Sequence, residues 1–87
     1  MADGSASGAE TRIFRLVRQS LPPDGAAELD ADKSLQDAGL KSLDMVSLML
    51  AVEAEFDLEI PQHEMTPENF QSVAAIGRLV ASLSATV

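Results

Sequence analysis

"GLKSLDMVSLMLAVEAEFDLEIP", residues 39–61, decides the fold. Its spacing predicts a helix over residues 42–56 with apolar side chains on nearly every side. A domain of 87 residues buries only one side of such a helix against a small core, so the other apolar side needs its own explanation. Placing the side chains at about 100° per residue, starting from Leu43, sorts them into two sets. Met45, Leu48, Met49, Val52 and Phe56 fall within one arc of roughly 100°, the width of a core stripe. Leu43, Val46, Ser47, Leu50 and Ala54 fall on the opposite side, with Asp44, Glu53 and Glu55 between the two. The first arc is the expected core face, where each large side chain contributes about 1.5–3 kcal/mol before chain entropy is counted. The second arc is either an exposed docking patch beside Ser42 or the covered second side of a helix central to a bundle, and the pattern alone fits both.

Working outward, "ETRIFRLVRQS" at residues 10–20 sets Ile13, Phe14, Leu16 and Val17, followed by Leu21, at helical spacing, with Arg12, Arg15 and Arg18 outward. Pro22-Pro23 ends that helix, because proline donates no helical hydrogen bond and disfavours helix in the residue before it. Residues 22–41 mix turn residues with the anchors Leu29, Leu35 and Leu40. So long a loop in a small domain implies a function or a hidden helical turn, and the leucines are expected to pack it across the helices. After the long helix, Leu58 and Ile60 turn inward before Pro61. "TPEN" at residues 66–69 reads as a short helix, with Thr66 as N-cap, Pro67 at the first position and Glu68 near the positive end of the dipole. Ser72 is the expected cap of the last helix, whose stripe is Val73, Ile76, Val80 and Leu83. Residues 1–9, small and polar, read as a disordered leader, and residues 10–84 as one domain. The expected architecture is all-α: three main helices plus one short one, with no strand and no internal repeat.

Fourteen acidic against six basic residues give a formal charge of −8 and a pI near 4.3. Such a surface repels nucleic-acid phosphates and anionic lipid and favours basic protein surfaces as partners. The absence of cysteine excludes disulfides, thiolate metal sites and cysteine nucleophiles together. No basic start and apolar run of a signal peptide opens the chain, and the longest uncharged stretch of the apolar segment, residues 45–52, is far short of the roughly 20 residues that span a bilayer. The expected setting is the cytoplasm.

Catalytic chemistry is poorly supplied. His63, beside Glu64 in a polar loop, has the setting of a solvated surface residue, and no Ser-His-Asp or Cys-His set assembles around it. "DADKSLQDAGLK" begins like a calcium loop with Asp30, Asp32 and Ser34, yet Leu35 stands where the loop needs glycine and Lys41 where it needs a bidentate glutamate. "GLKS" lacks the earlier glycine and the strand of a phosphate-binding loop. No metal site and no enzyme activity are expected. Ser42 has two readings. As an N-cap it accepts a first-turn N–H, worth about 1 kcal/mol. As an exposed hydroxyl at a helix N-terminus it suits an attached phosphate, which the dipole and free N–H groups stabilise.

The register of glycine, serine, leucine, an apolar helix and then "EFDLEIP" resembles the acyl carrier proteins over residues 10–84, most sharply over 39–61, with "FQSVAAI" at 70–76 resembling the start of that family's last helix. The resemblance implies an acyl-carrier-like four-helix bundle. It also implies a 4'-phosphopantetheine arm placed on Ser42 by a phosphopantetheinyl transferase, carrying cargo as a thioester, so that the reactive sulfur belongs to the arm. The helix after Ser42 becomes the recognition helix, with Lys41, Leu43, Asp44, Val46 and Leu50 as the partner face. Partners would be an amino acid or acyl ligase that loads the arm and a downstream transferase or synthase. Two departures stand out: Lys41 replaces the family's usual aspartate, and Ser47 and Ala54 stand where fatty-acid carriers usually have glutamates. They favour a specialised free-standing carrier, and "GLKS", "LMLAVEAEFDLEIP" and "NFQSVAAI" are most similar to bacterial aminoacyl carrier proteins. Two alternatives remain: a carrier for fatty-acid or polyketide-type synthesis, and an unmodified helical adaptor gripping a partner through Leu43, Val46 and Leu50.

Overall fold

Prolines and capping side chains divide the chain where the sequence places its breaks. The computed structural model describes residues 5–85, and its helices are α1 (Ser5–Ser20), α2 (Pro23–Ala27), α3 (Ser42–Phe56) and α4 (Val73–Ala85), with 3₁₀ turns at Gln62–Glu64 and Pro67–Phe70. No strand occurs among the described residues. The long helix has the bounds its periodicity predicts. The first starts at Ser5 rather than at Glu10, with Ala6, Ala9 and Glu10 good helix formers that carry it through Gly8, and no proline interrupts it before Pro22. Residues 5–9 of the expected leader are therefore helical, and residues 1–4 lie outside the described residues.

α1 packs against both α3 and α4, and the 3₁₀ turn at Pro67–Phe70 packs against α4. From α1, Ile13 and Val17 enter the core, followed by Leu21 just beyond the helix, at i, i+4 and i+8, while Phe14 and Leu16 are half-buried at its edge. α3 supplies Met45, Leu48, Met49 and Val52, and α4 supplies Val73, Ile76, Leu79 and Val80. Phe70 is fully buried among them. Leu83, expected in the α4 stripe, is half-buried and packs against this core.

The segment "TPEN" is a 3₁₀ turn and not a short α-helix. Thr66 Oγ1 accepts the Asn69 N–H at 3.3 Å, and Ser72 Oγ accepts the Ala75 N–H at 3.1 Å, so two successive caps leave room for a single turn between them. The short α-helix lies instead in the long loop, at Pro23–Ala27, where Pro23 sits at a helix start. Gly25 permits it: a Cβ there would fall 1.7 Å from the Ala38 carbonyl oxygen, so only glycine lets α2 lie against the turn that leads into α3. The rest of the loop is tied across the bundle by Leu35 N–H to Gln71 O and Ala74 N–H to Ala31 O, both at 2.8 Å, with Leu35 and Leu40 buried as expected and Leu29 half-buried.

Beyond α3, Asp57 adopts the left-handed conformation at φ 52° and closes the helix. Glu53 then folds back, its carboxylate accepting the Ile60 N–H at 2.8 Å, and Ile60 is buried. Arg12 of α1 caps this end from outside: its Nε lies 2.6 Å from Glu55 Oε2, its NH2 group donates to the Glu55 carbonyl, and its guanidinium stands 4.5 Å from the Phe56 ring centre. No described helix is long and apolar enough to cross a membrane.

Candidate attachment site and docking face

Ser42 reaches the surface through a short lead-in that admits few alternatives. Gly39 has φ 112°, a region L side chains rarely adopt, and a Cβ there would stand 2.9 Å from Pro22 Cγ. Leu40, buried, then anchors the chain, its N–H bonded to Leu35 O at 2.8 Å. The next two residues, Lys41 and Ser42, are exposed.

The capping reading of Ser42 is corrected by the geometry. Lys41 is the cap residue, with extended backbone at φ −96° and ψ 167°, its carbonyl accepting the Met45 N–H at 2.9 Å; Ser42 is the first helical residue. The register shifts by one because Leu40 must be buried, which commits Lys41 to the turn into the helix. A lysine side chain cannot accept a hydrogen bond, so α3 begins without a side-chain cap, and its first-turn N–H groups have no intrahelical acceptor. The Ser42 hydroxyl has no hydrogen-bond partner among the described residues. Asp44, half-buried in the first turn, adds a carboxylate near the positive end of the helix dipole.

The two arcs of α3 separate as the periodicity predicts. Met45, Leu48, Met49 and Val52 are buried and Phe56 is half-buried, whereas Leu43 is 83% exposed, Val46 54% and Leu50 56%. Among the described residues these three are the exposed large hydrophobic side chains, and they follow Ser42 along one side of α3. The alternative of a central helix covered on both sides is thereby excluded. A recess of about 540 Å³ opens beside Ser42, walled by Leu40, Met45, Val46 and Met49 of the α3 region and by Gln36 and Pro67 opposite. A larger hollow of about 830 Å³ lies at the far end of α3, between α1, α4 and Phe56. That end is about 21 Å from Ser42 along the helix, too far to share its chemistry.

Of the residues read from the sequence, the structure brings Lys41, Ser42, Leu43, Asp44, Val46 and Leu50 together at the start and outer side of α3. His63 stands apart on the turn at Gln62–Glu64, exposed, with Nε2 3.7 Å from Glu64 Oε2. No group of three potential metal ligands occurs among the described residues. Sequence reasoning missed Gln36 and Pro67 as walls of the recess and Arg12 as a contact of α3. Each is joined to the site by tertiary packing, for which local spacing carries no signal.

The chain matches the phosphopantetheine attachment-site family over residues 13–80. It is 54% identical to aminoacyl carrier protein 1 of Bradyrhizobium diazoefficiens over 70 residues, covering 79% of this chain and 78% of that protein. It is 46% identical to aminoacyl carrier protein 2 of the same organism over 77 residues, covering 87% and 86%. Among solved structures, it resembles the carrier in a complex of Bradyrhizobium japonicum glycine:[carrier protein] ligase with glycylated carrier protein, with a TM-score of 0.67 and 52% identity over 80% of this chain and 96% of that one. A second complex of that ligase, with its cognate carrier protein and an analogue of glycyl adenylate, matches with a TM-score of 0.69 and 51% identity over 84% of this chain and 96% of that one. These matches agree with the helical bundle and with an N-terminus of α3 that offers an exposed, unbonded serine hydroxyl: the chain belongs to the phosphopantetheine attachment-site family of carrier proteins, whose cofactor is 4'-phosphopantetheine.

Proposed function

We propose that this protein carries an aminoacyl group on a 4'-phosphopantetheine arm attached to Ser42, and that an amino acid ligase loads it. The observation that carries the reading is the exposed Ser42 hydroxyl, free of hydrogen bonds within the described residues, at the uncapped start of α3 and followed by the strip of Leu43, Val46 and Leu50. The residues fit the group. The serine oxygen is accessible to a phosphopantetheinyl transferase, the open first-turn N–H groups and the Lys41 ammonium favour the negative phosphodiester, and no folded contact is lost when the oxygen is substituted. When bound, the arm supplies a thiol that holds cargo as a thioester; the chain itself anchors it and presents it to partners that do the chemistry.

A small cargo is favoured over a long acyl chain. The interior behind α3 is filled by Leu35, Leu48, Phe70 and Ile76, all fully buried, and the recess at Ser42 is open to solvent. Glycine is the first cargo to try, because both related complexes contain a glycine ligase. A downstream transferase would then accept the loaded group.

The test is intact mass spectrometry after incubation with coenzyme A and a broad-specificity phosphopantetheinyl transferase, followed by glycine, ATP and a glycine:[carrier protein] ligase. The parent should gain one arm and then one glycyl group, and Ser42→Ala neither. Equal binding of the ligase by both proteins, with no mass gain in the parent, would support the adaptor reading instead.

A further inference from the structure

The hollow of about 830 Å³ between α1, α4 and Phe56 is the larger of the two cavities described above, and the attachment of an arm at Ser42 makes no use of it. It stays open because α4 lines it with Ala74, Gly77 and Ala81, whose side chains are too short to close the space. A Cβ added at Gly77 would meet nothing nearer than Ile13 Cδ1, at 3.9 Å. Phe56 and the buried Val80 give the hollow an apolar wall. Three charged side chains also line it. Arg12 is committed to the Glu55 carboxylate and the Phe56 ring. Glu10 and Arg78 are exposed and form no ion pair among the described residues, either with each other or with another group. The hollow therefore offers one negative and one positive group, both unpaired, beside an apolar surface.

We infer that this hollow binds a short apolar peptide with free termini, its carboxylate meeting Arg78, its ammonium meeting Glu10 and its side chains lying against Phe56 and Val80. A cavity of this size between the helices of a bundle, apolar with a few polar groups, has the form of a small-molecule site. A fatty carboxylate would gain Arg78 but face the Glu10 carboxylate, and an apolar amine would gain Glu10 but face Arg78. An uncharged guest would strip water from both groups and give neither a partner. A zwitterion with an apolar body answers all three features of the wall. The hollow lies about 21 Å from Ser42 along α3, so its occupant neither touches the arm nor competes with loading.

The experiment titrates the isotope-labelled, arm-bearing protein with leucyl-leucine and follows the amide shifts by heteronuclear NMR. Saturable shifts should gather at Phe56, Gly77, Val80 and Ala81. Exposed ion pairs are weak, so Arg78→Gln should raise the Kd about two- to fivefold, and it should leave binding of the dipeptide amide unchanged. Glu10→Gln should have an effect of the same size and leave binding of the N-acetylated dipeptide unchanged. Ala81→Phe, which fills the hollow from an exposed position, should abolish the saturable shifts with unaltered circular dichroism. The inference is overturned by an absence of saturable shifts in the parent, by shifts centred on Ser42, or by full binding in Ala81→Phe. Equal affinity for leucyl-leucine and its doubly blocked form, or tighter binding of decanoate, overturns it as well.

Discussion

Ser42 is a hydroxyl on which the fold makes no demand. Because Lys41 holds the cap position and the serine oxygen bonds to nothing described, Ser42→Ala should change unfolding free energy by less than about 0.5 kcal/mol, alanine being a good helix former. Urea denaturation followed by circular dichroism checks this, and a loss of about 1 kcal/mol would restore the serine to a capping role. Gly39 is the reverse case. At φ 112°, with Pro22 Cγ 2.9 Å from the site of a Cβ, Gly39→Ala should cost about 2 kcal/mol or more, read by the same denaturation, and should disturb the approach to Ser42 as well. Ser42 stands out in the sequence because the motif around it is local. Its helix register does not, since the cap was decided by the burial of Leu40, a tertiary event.

At the level of the helices, α3 shows which features spacing determines. Its two arcs were readable from residues 43–56 because a 3.6-residue period needs no knowledge of neighbours. The short α2 was hidden by a proline and a glycine that read as loop, and the glycine is required there by a backbone oxygen contributed from Ala38. Arg12 was equally hidden. Its guanidinium joins α1 to the end of α3 through the Glu55 carboxylate, the Glu55 carbonyl and the Phe56 ring, a combination stronger than a simple surface ion pair. Arg12→Ala should therefore cost about 1–2 kcal/mol, with Arg12→Lys recovering only part of it, because an ammonium lacks the planar fork. Chemical denaturation of the two variants measures the difference, and equal stability of Arg12→Ala and parent would reduce the contact to a surface ornament.

Across the whole molecule, the buried and the exposed large apolar side chains of α3 fall on different sides of one helix. A domain this size holds a stability of the order of 5–15 kcal/mol. Leu48→Ala, which empties a fully buried site, should remove about 2–5 kcal/mol of that and lower the urea midpoint sharply. Leu50→Ala, two positions along and exposed, should leave the midpoint nearly unchanged. The class of fold followed from composition and period together: an aliphatic, cysteine-free chain of 87 residues with three strong helical patterns has few other ways to close a core. Cargo was not legible, because neither the period nor the motifs of the chain distinguish one thioester-bound group from another.

The uneven anchoring of α3 has a consequence for how its amides exchange with solvent. Its C-terminal end is held by Arg12, by the Glu53 carboxylate on Ile60 and by the buried Ile60 itself, whereas its N-terminal end has no side-chain cap. Local opening therefore costs least at residues 42–44 and most near Val52, giving a gradient of deuterium uptake along a single helix. The turn that bears the serine is the one that yields first, so it can be reshaped at a fraction of the domain's stability while the remainder stays folded.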